Sequence, residues 1–365
     1  MDEVTLNSKL QNILDMQLKN KKVFNAVLAI QSADRAVDWA GAVGYSNHSD
    51  KVKMQPDSAY FIASITKMYT AAVIMHLYER NLLDLDDNIS KYLPSPLIKA
   101  IHIFKGVDYT GQLKIVHLLS QSSGLADYFL DKQRGNKNIL DKITKYGDYE
   151  WDIKEAMRIV REELNPKFEP GRKNKAHYSD TNYQLLGAII ESVTGKPLQD
   201  AYDGIIFTPL GLRDTYLFNP DLKKKRLQPA QIFYGERAMD MPKAMASFGP
   251  DGGIVSNARE NIIFLRAFLN GSLFPQSYLQ EMQQWRKIFF PLEYGYGLMR
   301  FNLPRIFSPF KASPELIGHS DASASFLFYC PQEDVYLAGT LNQIKQQSRP
   351  FRVMFNVINS VDERA

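Results

Sequence analysis

Strand patterns occur near both ends of this 365-residue chain, whereas helical patterns fill most of the stretch between them. Near the N-terminus, residues 26–31 and 37–45 are predicted to form a hairpin around a turn at 32–35. Strand patterns return after Gly295, at residues 296–301, 316–319, 323–329 and 335–341. We therefore expect an α/β (α+β) fold in which both chain ends contribute to one sheet.

The stretch from about Leu82 to Leu279 is predicted to be mostly helical and to form an inserted lobe. No internal repeat, low-complexity tract or linker divides the sequence into independent domains. We expect one unit over residues 1–365, with an α/β lobe formed by 1–62 and 285–365 and a mainly helical lobe over 63–284. A last helix is predicted from about residue 349 to 361.

Charge and cysteine content exclude several classes of function. Lys and Arg number 44 against 40 Asp and Glu, and a net charge of +4 is too small to indicate a nucleic-acid partner. The basic cluster at residues 223–226 is short and lacks interleaved aromatic residues, which favours a solvated loop. With Cys330 as the single cysteine and no metal-ligand spacing among six histidines, we expect neither a metal nor a cofactor.

The first 24 residues carry leucines at helical spacing among charged residues, which predicts an amphipathic helix and not a signal sequence. No apolar run in the sequence is long enough to span a bilayer. The expected location is the cytoplasm if Met1 is the native start, or outside the cytoplasm or in the cell envelope if an export signal was removed. The sequence does not indicate an oligomeric state.

Ser64 and Lys67 lie three residues apart at the predicted start of a helix. Positions i and i+3 share a helix face, so the ammonium of Lys67 is within reach of the Ser64 hydroxyl. The positive end of the helix dipole would also favour an anion at Ser64. Taken alone, the spacing occurs by chance in many helices, and a solvated pair with Ser64 as an N-cap is then the favoured interpretation.

Two further stretches carry polar groups in a similar context. Residues 178–180 (Tyr-Ser-Asp) follow a bend at 169–171 and precede a helix whose predicted cap is Asp180 or Thr181 and whose end is marked by Gly195. Residues 318–322 (Gly-His-Ser-Asp-Ala) fall in a predicted strand near the C-terminus.

The three stretches, in this order, resemble the motifs of the serine β-lactamases and penicillin-binding proteins: a Ser-x-x-Lys, a triplet with Tyr or Ser, and a Lys-Thr-Gly on a strand. The class C β-lactamase and D,D-peptidase branch, which includes carboxypeptidases and esterases, is the most similar, because it uses Tyr in the second motif and often His in the third. The resemblance continues in similar segments along most of the chain, at residues 117–125, 178–187, 209–212, 252–256 and 294–297. It implies a β-lactamase/transpeptidase-like fold, with a central antiparallel sheet flanked by helices and an inserted helical lobe.

The resemblance also implies roles for the residues of the three motifs. Ser64 would attack a carbonyl carbon and form an acyl-enzyme. Lys67, if desolvation lowers its pKa, would take the serine proton or hold Tyr178 as a phenolate, and Tyr178 would move a proton to the leaving group. His319 would occupy the position of the lysine in the family's third motif. The backbone N–H groups of Ser64 and Ala322 match the family's oxyanion hole.

Two carboxylates depart from the family's pattern and are assigned to substrate binding. Asp180 stands where asparagine is usual; it could pair with Lys67 and raise the lysine pKa, or it could only cap the following helix. Asp321 stands where glycine is usual. On a regular strand Asp321 would share a side with His319 and hold the imidazole protonated, and otherwise it would project into the cleft and repel carboxylate substrates.

These observations favour a serine hydrolase that acts on an amide or ester, of D-aminopeptidase-like or esterase-like activity, with a small molecule or peptide as its substrate. One alternative is a D,D-carboxypeptidase or β-lactamase that tolerates both carboxylates. Another is a catalytically inactive relative that binds a ligand. Asp127 and Tyr128, which follow the 117–125 segment, are expected to be surface loop residues.

Overall fold

The computed structural model describes residues 3–19, 22–222, 227–304, 306 and 313–362. The basic cluster at 223–226 lies outside the described residues, and its assignment to a solvated loop stays a prediction.

The strands, in chain order, are β1 (Asn25–Ser32), β2 (Asp38–Asn47), β3 (Val52–Lys53), β4 (Tyr60–Phe61), β5 (Ile103–Phe104), β6 (Val107–Asp108), β7 (Tyr216–Leu217), β8 (Ile232–Tyr234), β9 (Arg237–Met239), β10 (Ile254–Ser256), β11 (Arg286–Phe289), β12 (Leu292–Tyr294), β13 (Met299–Phe301), β14 (Leu316–Ser320), β15 (Ser325–Cys330) and β16 (Val335–Thr340).

The α-helices are α1 (Glu3–Leu18), α2 (Thr66–Glu79), α3 (Ser95–Ile98), α4 (Ile115–Leu119), α5 (Ile139–Tyr146), α6 (Ile153–Glu163), α7 (Asp180–Thr194), α8 (Leu198–Tyr202), α9 (Thr208–Leu210), α10 (Pro242–Phe248), α11 (Ala258–Leu269), α12 (Leu279–Met282) and α13 (Arg349–Asp362). No helix in the described ranges is long and apolar enough to cross a membrane.

The largest sheet takes its strands from both ends of the chain, in the order β11-β12-β13-β14-β15-β16-β1-β2-β3. All neighbouring strands in it are antiparallel. The two chain ends meet where β1 pairs with β16, with Val27 opposite Thr340. The predicted fold class, an antiparallel sheet flanked by helices, is confirmed; the division into lobes at residues 62/63 and 284/285 stays a prediction.

Helices cover both faces of this sheet at its centre. Residues 25–30 of β1 are all buried, and because successive side chains of a strand point to opposite faces, neither face of β1 is open to water. Helix α1 buries Leu6, Leu10 and Leu14 and packs against β1, β2 and α13. Helix α11 packs on β1, β15 and β16.

The middle of the chain contains short strands that the sequence pattern did not predict. Strand β10 pairs with β4 and β7 in a small antiparallel sheet, with Val255 opposite both Phe61 and Tyr216. Strands of two or three residues are too short to show an alternation of apolar and polar residues. The mostly helical pattern around them therefore led to a prediction of helix. The small sheet bears on function because β4 ends three residues before Ser64.

Gly318 in β14 holds the third motif close to the neighbouring strand. A Cβ atom at this position would collide with the backbone carbonyl of Leu327 in β15. We expect Gly318→Ala to lower the free energy of unfolding by about 1–3 kcal/mol, because the two strands must separate locally. Urea denaturation of wild type and variant measures the change. Gly111→Ala is a control, since its added Cβ meets no atom within 4 Å, and equal losses in both variants would contradict the steric explanation.

Candidate active site

Ser64 lies in a tight turn between β4 and α2. The turn is a short 3₁₀ segment, Ala63–Ile65, in which Ala63 has a φ of 45°. A positive φ is unfavourable for alanine, and such strain is typical of functional turns. The predicted reach of Lys67 is confirmed, because its Nζ lies 3.2 Å from the Ser64 Oγ.

Lys67 is fully buried and makes three polar contacts through its ammonium group. Its Nζ lies 2.6 Å from Asp180 Oδ1 and donates to the backbone carbonyl of Asp251 at 2.7 Å, in addition to the contact with Ser64. Burial lowers the pKa of Lys67, but Asp180, followed by Tyr178 and Asp251, raises it more, so the pKa ends above its ordinary value. The expected depressed lysine pKa is therefore wrong, and Lys67 is a cation in the resting site.

Tyr178 lies two residues before the start of α7 and faces Lys67. The Lys67 Nζ lies 5.2 Å from the centroid of the tyrosine ring, which also packs against the rings of Tyr294 at 5.7 Å and Phe289 at 6.3 Å. Burial raises the pKa of Tyr178 above its ordinary value although Lys67 and Ser64 oppose the shift. The expectation that Lys67 holds a phenolate is wrong for the resting site, where Tyr178 is a neutral phenol that carries a proton to donate.

The observed cap of helix α7 lies one residue before the nearer of its two predicted caps, Asp180 and Thr181. The helix ends as expected at Gly195, which has a left-handed φ of 65°. Ser179 occupies the N-cap position and makes no side-chain cap hydrogen bond. Asp180 is the first helical residue, and its carboxylate contacts Lys67 and does not cap the helix. Of the two readings of Asp180, the ion pair with Lys67 is the one observed.

His319 and Asp321 do not interact as a regular strand would predict. Strand β14 ends at Ser320, so Asp321 lies in the following turn, where its carboxylate accepts hydrogen bonds from the backbone N–H and the hydroxyl of Ser323. The His319 Nδ1 lies 2.7 Å from the Ser320 carbonyl, and burial and the charge of Lys67 lower the pKa of His319 to about 3. His319 is neutral, and the expectation of an imidazolium held by Asp321 is wrong.

Asp321 instead lines the cleft with its neighbours Ser320, Ala322 and Ser323. Burial raises the pKa of Asp321 to about 7, although hydrogen bonds from Ser323 oppose the shift. The carboxyl group therefore changes charge near neutral pH, inside the substrate cleft.

Sequence reasoning missed two buried acids next to the Lys67–Asp180 pair. Asp127 and Asp251 are 3% and 1% exposed. The Asp251 Oδ2 accepts hydrogen bonds from the Tyr128 hydroxyl at 2.8 Å and from Gln184 Nε2 at 3.0 Å, and Asp127 Oδ1 accepts from the backbone N–H of Asp180 at 3.2 Å. Burial, together with the charge of Asp180, raises the pKa of both acids well above the ordinary value.

The expectation that Asp127 and Tyr128 are surface loop residues is wrong, because both are buried at the site and Tyr128 is fully enclosed. The position of Asp127 and Tyr128 just after the 117–125 segment did not indicate their burial. For Asp251, the family-like segment at 252–256, which follows it directly, was a signal that could have identified it as a site residue.

Ser64 opens into a cleft of about 390 Å³ between the middle of the chain and the edge of the large sheet. Among the described residues that line this cleft, the acidic side chains are Asp180, Asp251 and Asp321, and none of the lining residues is a lysine or an arginine. Ala63, Ser64 and Ala322 also line it, which is compatible with an oxyanion hole formed by the Ser64 and Ala322 N–H groups; that assignment stays a prediction. Within the described ranges, no group of three or more His, Cys, Asp or Glu residues could hold a metal ion.

The family model described as Beta-lactamase matches residues 10–354 of the chain. Penicillin-binding protein 4* of Bacillus subtilis (strain 168) is 30% identical over 224 residues, which is 59% of this chain and 42% of that protein. The chain thus spans less than half the length of the curated relatives it matches first.

Solved structures match over nearly the whole chain. A D-stereospecific amidohydrolase from Streptomyces sp. has a TM-score of 0.74 and 25% identity, with 95% of this chain and 97% of the other covered. D-amino acid amidase from Ochrobactrum anthropi SV3, complexed with D-phenylalanine, has a TM-score of 0.79 and 23% identity, with 99% and 100% covered. At that identity the second match supports the fold alone.

Proposed function

The chain belongs to the beta-lactamase family, and we propose that it is a serine hydrolase that forms an acyl-enzyme through Ser64 and acts on an amide or ester. The observation that carries this proposal is the contact chain from the Ser64 Oγ to Lys67 Nζ at 3.2 Å and on to Asp180 Oδ1 at 2.6 Å. A serine hydroxyl is a weak nucleophile unless an adjacent group accepts its proton.

The Lys67–Asp180 pair can accept that proton even though Lys67 starts as a cation. Lys67 passes one proton to Asp180 and takes the Ser64 proton as the serine oxygen attacks the carbonyl carbon. The pair then holds one more proton than before, and the substrate oxygen carries the negative charge of the tetrahedral intermediate. The N–H groups of Ser64 and Ala322 are proposed to stabilise that oxygen.

Tyr178 is the proposed acid for the leaving group. Its phenol proton goes to the departing oxygen or nitrogen as the bond to the acyl carbon breaks, and Lys67 returns the serine proton to the tyrosine. In the second half of the reaction, water attacks the acyl-enzyme, the pair accepts the water proton, and Ser64 recovers its hydroxyl proton as the acid product leaves. His319, being neutral and buried, is proposed to support Tyr294 and Tyr178 by packing and not to transfer protons.

The charge of the cleft favours a substrate that is neutral or cationic near Asp321. The charge of Asp180 is balanced by its ion pair with Lys67, so it is Asp321, when ionised, that adds negative charge to a cleft whose described lining carries no Lys or Arg. A substrate carboxylate there would lose hydration without gaining a cationic partner. A D-aminopeptidase-like or esterase-like activity is therefore the favoured form, and the name of the Bacillus subtilis relative keeps a penicillin-reactive enzyme as the second candidate.

We expect Asp321 to give a pH-dependent preference for cationic substrates. The carboxyl group of Asp321, whose pKa is raised to about 7, is neutral below that pH and ionised above it. Acetylcholine and 3,3-dimethylbutyl acetate have nearly the same shape but differ by one positive charge. The kcat/KM for acetylcholine divided by that for 3,3-dimethylbutyl acetate should rise about fivefold as the pH increases through about 7. This factor corresponds to a Coulomb energy near 1 kcal/mol.

Asp321→Asn is the matched control, because it keeps the shape and removes the titration. In this variant the ratio should stay flat with pH. A ratio that rises equally in wild type and Asp321→Asn would contradict the role of Asp321. Faster acylation by a penicillin than by either ester would instead support the second candidate.

A further inference from the structure

The cleft beside Ser64 has an apolar wall that the catalytic steps do not use. Five of its lining residues form this wall, here called the acyl wall: Phe129, Leu140, Ile143, Met245 and Phe248. Phe129, Ile143 and Met245 are only 8%, 2% and 4% exposed, so the wall is deep and water reaches little of it. A cavity of about 390 Å³ is within the range of small-molecule sites, and an apolar lining indicates an apolar occupant.

The acyl wall is held rigidly next to the catalytic groups. Helix α5 carries Leu140 and Ile143. At its start, the Ile139 N–H donates a hydrogen bond to the Phe129 carbonyl at 3.1 Å, which connects the helix to Phe129. The rings of Phe129 and Phe248 pack edge to face at 4.8 Å. A preformed wall of this kind loses little entropy when a ligand binds.

The contacts of Tyr178 and of the wall with their neighbours indicate which part of the substrate each would contact. Tyr178, the proposed acid for the leaving group, packs against Phe289, so the leaving group belongs on the Phe289 side. The acyl wall is attached elsewhere: Gln184 Nε2 donates to the Phe248 carbonyl at 2.8 Å and to Asp251 at 3.0 Å, next to the Lys67–Asp180 pair. These separate contacts favour placing the acyl substituent of the scissile carbonyl, and not the leaving group, against the wall.

We propose that the acyl wall is the specificity site for a bulky, uncharged apolar acyl group, so that medium-chain or aromatic acyl esters and amides are the preferred substrates. This inference rests on the proposed serine hydrolase function. No member of the acyl wall is charged, so an acyl group that ends in a carboxylate gains no partner there. Each methylene of the acyl group that is buried is expected to raise kcat/KM about threefold or fourfold.

The test compares 4-nitrophenyl acetate, hexanoate and the half-ester of adipic acid, which share one leaving group. In the wild type, kcat/KM for hexanoate should exceed that for acetate by about tenfold or more, which corresponds to burial of at least two of the four additional methylenes, and the adipic half-ester should react more slowly than hexanoate. Leu140→Trp narrows the pocket from a half-buried position and should reduce the hexanoate-to-acetate ratio by about tenfold. Lys145→Trp, on the exposed side of the same helix, is the matched control and should leave the ratio unchanged.

Ile143→Ala enlarges the pocket and should shift the preference from hexanoate towards octanoate, which keeps the test informative if Leu140→Trp folds poorly. Equal kcat/KM values for acetate and hexanoate in the wild type, or the same ratio in wild type, Leu140→Trp and Ile143→Ala, would overturn the inference while Ser64 acylation by acetate left the proposed function intact. Absence of acylation by all of the esters in folded protein would overturn both.

Discussion

Ser64→Ala is expected to lower kcat by about 10⁴-fold or more on any ester or amide that the wild type hydrolyses. The variant lacks the oxygen that attacks the carbonyl, while the Lys67–Asp180 pair and the cleft remain. Its free energy of unfolding should stay within about 0.5 kcal/mol of the wild type, because Ser64 is half-buried and its hydroxyl contacts Lys67 at a long 3.2 Å. Steady-state kinetics and urea denaturation of the two proteins give both values.

A folded Ser64→Ala protein that keeps more than about a tenth of the wild-type kcat would identify another nucleophile or a water-based mechanism. A matched serine control is Ser192→Ala, on the exposed side of α7, where the hydroxyl donates to the Tyr92 carbonyl and no residue of the cleft is involved. That variant should keep the wild-type kcat.

Lys67→Met is expected to damage both activity and stability. It removes the proton acceptor of Ser64, and it leaves the carboxylate of Asp180 buried without its cation. Breaking a buried ion pair by removing one partner typically costs about 3–5 kcal/mol, and loss of the activating group should lower kcat by about 10³-fold or more. Thermal or urea denaturation measures the first effect, and ester hydrolysis measures the second.

The double variant Lys67→Met/Asp180→Asn separates these two effects. Replacing both members of a buried ion pair by neutral groups is often close to neutral for stability, so most of the lost stability should return. Activity should stay low, since the proton acceptor is still missing. If Lys67→Met is as stable as the wild type, the ion pair does not have the role assigned to it; if the double variant is active, Lys67 is not the acceptor.

The sequence predicted the parts of the fold whose local pattern is long and regular. Strands β1, β2, β15 and β16 and helix α13 were found near their true bounds, because each contains a run of mostly apolar residues or, in α13, a helical apolar spacing that is long enough to recognise. The small sheet formed by β4, β7 and β10 was missed. Its pairings join residues far apart in the chain, and its strands are too short for a local pattern.

The candidate site was predictable where helix geometry fixed it and not where burial decided the charges. The approach of Lys67 to Ser64 followed from i to i+3 spacing. A raised pKa of Lys67 was one of two open expectations, through a pairing with Asp180. The contributions of Tyr178 and Asp251 to it were not predicted, because only the folded chain brings these groups to the lysine. The link between His319 and Asp321 failed for a local reason: the strand ends at Ser320, and the chain turns through Ala324, which has a φ of 67°.

The most direct test of the central claim is to identify the residue that becomes acylated. Native protein is treated with a fluorophosphonate and, separately, with 4-nitrophenyl hexanoate quenched in acid, followed by intact-mass measurement and peptide mapping. We expect one adduct per chain, on the peptide that contains Ser64, and no adduct on folded Ser64→Ala. An adduct on a different residue, or unmodified wild-type protein that hydrolyses the ester at the same rate as Ser64→Ala, would contradict it.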